Sequence, residues 1–151
     1  MDLTNLHTVL EETFSANFVA YYRSHSAHIN VLGRNFYADH KLLKKIYEYL
    51  QDNIDTLGEK LRTTRAYAPD SIGSILAVSQ LADEPVVGSA IEYFLMVKDS
   101  LEVMIDQYHE LYTAAEAVDY IDISNFAQDQ IAQLAKFRWM VESTLDDQDD
   151  Q

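Results

Sequence analysis

HINVLGRNFYADHKLLKKIYEYLQDNIDTLGEKLR, residues 28–62, is the stretch on which the fold turns. Within it Phe36, His40, Leu43, Tyr47, Leu50, Ile54, Leu57 and Leu61 recur at alternating spacings of four and three. Side chains so spaced form one stripe along an α-helix, the seam by which bundled helices pack. A helix is therefore expected over residues 35–62, with Gly58 tolerated inside it at a modest cost.

The flanking sequence extends the pattern. Upstream, Leu6, Val9, Leu10, Phe14, Phe18, Tyr21 and Tyr22 recur at threes and fours, and His25 and His28 continue that face. A first helix is expected over 5–30, with Gly33 closing it. Downstream, residues 63–85 break the pattern between Pro69 and Pro85. There Asp70 or Ser71 can cap a short helix through Ile72, Ile75, Leu76 and Val78. The segment is too long for a tight helical hairpin and is expected to cross between bundle ends.

A third helix follows over 87–117, with Ile91, Phe94, Leu101, Ile105, Tyr108, Tyr112 and Ala115 inward. A fourth spans 123–145, with Ala127, Ile131, Leu134, Val141 and Leu145 inward. The acidic tail DDQDDQ, residues 146–151, is expected to fray. The pattern predicts an all-α, four-helix bundle with a long crossover carrying a short helix between helices 2 and 3. It occupies a single domain over 1–151, a length that suits one core.

Composition limits the function. The chain is 48% hydrophobic and 24% charged, with four Gly and two Pro, which is globular rather than disordered. It has no Cys, so thiolate metal sites and disulfides are excluded. No apolar run is long enough to span a bilayer, and the first residues lack the basic and apolar regions of a signal peptide. A cytoplasmic protein is expected, with no membrane association. The net charge of −14 repels phosphate backbones and attracts cations.

Candidate chemistry lies on the flank of the seam. Asp55 and Glu59 are one turn apart, so their carboxylates can converge. Asp55 stands four turns, about 22 Å, along the axis from His40 at 1.5 Å per residue, and Glu59 one turn further. One helix cannot bring all three to one metal, whereas a second copy running antiparallel across a two-fold axis can. The spacing thus predicts a site shared between subunits. His28, just before the turn into the second helix, can face the same junction as His40. Two imidazoles and two carboxylates suit iron(II), and also zinc or manganese; iron(II) alone of these has ready redox chemistry. The usual di-iron bundle instead needs Glu-x-x-His on two helices. The sequence has none; its nearest match is Asp106-x-x-His109, a single copy with Asp for Glu.

Residues 28–62 resemble the signature of the Dps proteins (DNA-binding proteins from starved cells), a family of ferritin-like mini-ferritins. That signature opens His-Trp-Asn-Val-x-Gly, passes an aromatic pair to a second His, and closes on Asp-x-x-x-Glu. His28, Asn30, Val31 and Gly33 match the opening, Phe36, Tyr37 and His40 the middle, and Asp55 and Glu59 the close. KFRWMVESTL, residues 136–145, is similar to the family's Trp-Met segment.

The resemblance implies a ferritin-like bundle in a homo-oligomer, a hollow dodecamer built from two-fold dimers. It implies ferroxidase sites at those two-folds, with His28 and His40 from one subunit and Asp55 and Glu59 from its mate as catalytic and metal-ligating residues. It further implies oxidation of iron(II) by hydrogen peroxide or oxygen, storage of iron(III) mineral, and protection against oxidative damage. Acid-lined pores near the start of the fourth helix would draw on Asp119, Asp122 and Asp129. Glu48 and Asp52 are weaker candidates for the cage interior.

Two departures stand out. Lys44 occupies the place one turn after the second His where the family commonly has an acid. Its ammonium does not ligate, opposes a second cation, and is expected to pair with Asp55 or Glu59 and modulate the site. Ile29 replaces the family's Trp, leaving Tyr37 or Tyr47 as candidate redox-active aromatics. DNA binding is not expected: no Lys or Arg precedes Arg23, and the chain ends in acids. The alternatives are a structural shell whose ferroxidase activity Lys44 impairs, and a DNA-protecting interaction protein.

Overall fold

The computed structural model describes residues 1–149. It contains five helices in the order α1 (Thr4–Asn30), α2 (Phe36–Thr63), α3 (Ile72–Val78), α4 (Ala90–Glu116) and α5 (Ile121–Asp149). No strand occurs among the described residues. The acidic tail was expected to fray from residue 146, but α5 continues to Asp149; residues 150–151 lie outside the described residues.

α1 packs on α2 and α4, α4 packs on α5, and the short α3 lies against α1. The seam of α2 supplies Leu43, Leu50, Leu57 and Leu61, each fully buried, and each such burial stabilises the fold by roughly 1.5–3 kcal/mol. Asn35 and Asp39 share a pocket with Ser89 and Ala90. The starts of α2 and α4 therefore lie at the same end of the bundle, so the crossover between them runs its full length.

Helix ends follow local chemistry. α1 stops at Asn30, Val31 turns extended, and Gly33 adopts φ 125°, a conformation that L side chains avoid. A Cβ built on Gly33 would meet nothing within 4 Å, so its requirement is conformational, not steric. Ser71, one of the two expected caps, accepts the Ser74 amide at 3.1 Å and starts α3. α4 begins at Ala90 rather than near Val87, because Ser89 and Glu92 form a capping box there. Two residues past α2 the chain turns through Arg65 at φ 70°, and the α4–α5 turn passes through Asp119 at φ 60°. In both, an amide beyond the left-handed residue closes back on the helix: Ala66 N to Leu61 O at 2.9 Å, and Tyr120 N to Ala115 O at 3.0 Å.

Three expected inward residues face outward. Tyr22 is 59% exposed, Phe36 41% and Ile91 40%. Phe36 and Ile91 sit in the first turns of α2 and α4, at a bundle end where little covers them. Tyr22 lines a cleft against the crossover residues Asp83 and Val86, which do not close over it.

Within the apolar core lies a small polar but uncharged cluster. Tyr49 donates to the Gln130 side-chain oxygen, and Asn53 Nδ2 donates to the same oxygen at 2.8 Å. Asn17 reaches the Leu50 carbonyl at 2.8 Å. Tyr108 is completely buried nearby, and desolvation pushes its phenol far up. These side chains are neutral amides and phenols, with no carboxylate among them.

Candidate metal centre

The α1–α2 junction brings His28 and His40 together. His28 lies in the last turns of α1 and His40 in the second turn of α2, joined by the glycine-dependent turn. Their rings stack with centroids 3.7 Å apart at 17°. The contact is reciprocal: His28 Nδ1 lies 2.7 Å from the His40 carbonyl, and His40 Nδ1 2.8 Å from the His28 carbonyl.

A carbonyl only accepts, so each Nδ1 must carry its hydrogen and donate. Both Nε2 lone pairs are left free on adjacent rings, the tautomer that a metal-ligating imidazole requires. The His28 carbonyl belongs to the last turn of α1, where carbonyls lack helical partners, so the His40 bond also completes that helix end.

Desolvation holds the His28 imidazole below its ordinary value; His40, His25 and Lys44 push the same way, against its bond to the His40 backbone. The neutral, ligand-competent form is favoured. Phe36 stacks on the outer side of His40 at 4.9 Å.

Asp55 and Glu59 do not join this pair. Both are exposed on α2, in a shallow depression with Phe14, Ile54, Gly58, Arg62 and Ala68. At the helical rise Asp55 stands about 22 Å and Glu59 about 28 Å from His40. Within the chain Lys44 meets Glu48, with Nζ and Oε1 3.7 Å apart, rather than Asp55 or Glu59. Glu48 is one turn away, whereas Asp55 is three turns along α2 and out of reach.

Asp119, Asp122 and Asp129 are all exposed: Asp119 in the turn, Asp122 in the first turn of α5, Asp129 two turns on. Asp106 and His109 are exposed on α4. Among the described residues, no three His, Asp or Glu side chains are gathered to hold a metal.

Beside the imidazole pair is an arrangement that the apolar pattern had absorbed. His25 stacks flat on Tyr47, centroids 3.9 Å apart at 2°. Its Nδ1 lies 2.7 Å from the Tyr21 hydroxyl. The Tyr47 ring is 5.0 Å from His28, and the His25 ring 6.0 Å. The signal was present in the spacing: Tyr21, His25 and His28 stand four and three apart on one face. Tyr37, the other candidate aromatic, is exposed and lies under the Lys41 ammonium at 4.7 Å.

The ferritin-like domain family matches residues 8–149 of the chain. The DNA protection during starvation protein of Brevibacillus brevis is 29% identical over 148 residues, covering 95% of this chain and 97% of that protein. Antigen TpF1 of Treponema pallidum is 30% identical over 129 residues, covering 84% of this chain and 72% of the antigen. The crystal structure of the DPS protein from Vibrio cholerae O1 superposes with a TM-score of 0.89 at 23% identity, covering 96% of this chain and 93% of that one. With its helix order, crossover and α1–α2 junction, the chain belongs to the Dps family of ferritin-like proteins.

Proposed function

We propose that the protein is an iron-storing ferroxidase whose sites form between subunits. His28 and His40 of one copy, with Asp55 and Glu59 of a two-fold mate, would bind iron(II) and pass its electrons to hydrogen peroxide or oxygen. A dodecameric cage would hold the iron(III) mineral and limit oxidative damage in the cytoplasm. Zinc or manganese suits the same ligands. Asp119, Asp122 and Asp129 are proposed to guide cations to pores where copies meet.

One observation carries this reading: the reciprocal clasp that leaves two Nε2 lone pairs free on neighbouring rings. The Vibrio cholerae relative is described as a member of a broad superfamily of ferritin-like diiron-carboxylate proteins, which supports iron as the metal. The separation of the two ligand pairs along α2 supports the assignment to two subunits.

Lys44 is the observation behind a second reading. Its charge bears on His28 and opposes another cation beside the first. The site is therefore proposed to hold one iron firmly and a second weakly; a shell with impaired ferroxidase activity is the limiting case.

The test is complementation. His28→Ala and Asp55→Ala proteins are each expected to lose peroxide-dependent iron(II) oxidation. Refolded together and paired at random across two-folds, roughly a quarter of sites regain both intact halves, and activity returns to that degree. A mixture as inactive as its components overturns the shared site. Anaerobic iron(II) titration of the unaltered protein should fill one tight position per site; two equally tight irons would contradict the role given to Lys44.

A further inference from the structure

Hydrogen peroxide needs two electrons to break its O–O bond, and one iron(II) supplies one. A site with a single firm iron must find the second elsewhere, and Ile29 offers no oxidisable ring. The cluster beside the imidazole pair does. From the His28 ring, Tyr47 is 5.0 Å away, Tyr21 lies 6.2 Å beyond Tyr47, and the exposed Tyr22 lies 6.4 Å beyond Tyr21.

What singles out Tyr21 is its partner. A phenol that loses an electron becomes a strong acid, and the His25 Nδ1 at 2.7 Å is placed to take its proton. Stacking on Tyr47 holds the His25 ring in that orientation. Burial, with the neighbouring Tyr47 and Tyr22, raises the phenol above its ordinary value, so it rests protonated.

We propose that Tyr21, hydrogen-bonded to His25, supplies the second electron during peroxide reduction at the His28–His40 iron site. This rests on the ferroxidase reading above. Iron(II) and Tyr21 each lose one electron, and the O–O bond breaks to give two hydroxide ions. The Tyr21 proton moves to His25 Nδ1, leaving a neutral phenoxyl beside an imidazolium. A second iron(II) entering the site then reduces the phenoxyl, the proton returns from His25, and the products are two iron(III) ions and Tyr21 restored. No free hydroxyl radical is released.

The test uses the full-length assembled protein, loaded anaerobically with less than one iron(II) per site and mixed with hydrogen peroxide. Samples frozen on the millisecond scale are read by Mössbauer spectroscopy for iron(III) and by electron paramagnetic resonance for radicals. A tyrosyl signal that narrows when the tyrosines carry ring deuterium is expected, and Tyr21→Phe should lose it while iron(III) still forms. His25→Gln should keep a radical whose high-field spectrum has lost the shift caused by a charged hydrogen-bond donor, a change that altered packing alone would not produce. Iron(III) without a tyrosyl signal, or a signal undiminished in Tyr21→Phe, overturns the proposal and leaves the ferroxidase reading standing. Absence of iron(III) in the unaltered protein overturns both.

Discussion

At the scale of single residues, the His28–His40 clasp decides which ring nitrogens carry hydrogen and, with that, the pH response. Desolvation holds the His28 imidazole below its ordinary value of 6.5. As the pH falls, the unfolded chain takes up this proton before the folded chain does. The contribution to stability is therefore whole above pH 6.5 and drains as the pH falls from there through the lower folded value. Urea midpoints of the metal-free protein should decline across that window, and His28→Asn should flatten the decline; an equal slope in both would remove the assignment. The meeting of His28 and His40 was legible: two His flanking a glycine-bearing helix junction stand out from spacing. Their mutual bonding was not, because it depends on backbone carbonyls that no side-chain pattern reveals. Tyr21–His25 escaped for another reason: residues on an apolar face are counted as core, and counting does not ask what their polar ends touch. Lys44 has acids on several turns of its helix, and rotamer and reach select Glu48.

The elements obey their local signals closely. Alternation of three and four placed every long helix, and the candidate caps Asp70 and Ser71 in the proline-bounded stretch placed α3, of which Ser71 serves. Terminal residues moved where capping decides them, as at Ser89 and Glu92. The exposure of Tyr22, Phe36 and Ile91 was beyond periodicity, which says which residues share a face but not whether another element covers it. The end of α2 yields a prediction of its own. Arg65 holds a left-handed conformation that costs an L residue roughly 1–2 kcal/mol and that glycine adopts freely. Arg65→Gly is expected to stabilise the protein by about 1 kcal/mol, seen as a higher urea midpoint at unchanged m-value. A lower midpoint would mean that the arginine side chain outweighs its backbone strain.

For the whole molecule, charge decides what the surface attracts. A chain carrying −14 has few cations with which to displace the counterions condensed on DNA phosphates. No retarded band is expected with duplex DNA at moderate salt without magnesium, and a retarded band would refute this. None of the described helices is long and apolar enough to cross a membrane.

The position of Asp55 and Glu59, several turns down α2 from His40, has a thermodynamic consequence. On the proposed reading no isolated subunit owns a complete binding site, so metal uptake and subunit association are linked equilibria. By reciprocity, every increment by which quaternary contact tightens iron is returned as iron tightening quaternary contact. Dilution that separates the mates should release the cargo, and the cargo should hold the mates together. The particle would thus become most durable while it is filling.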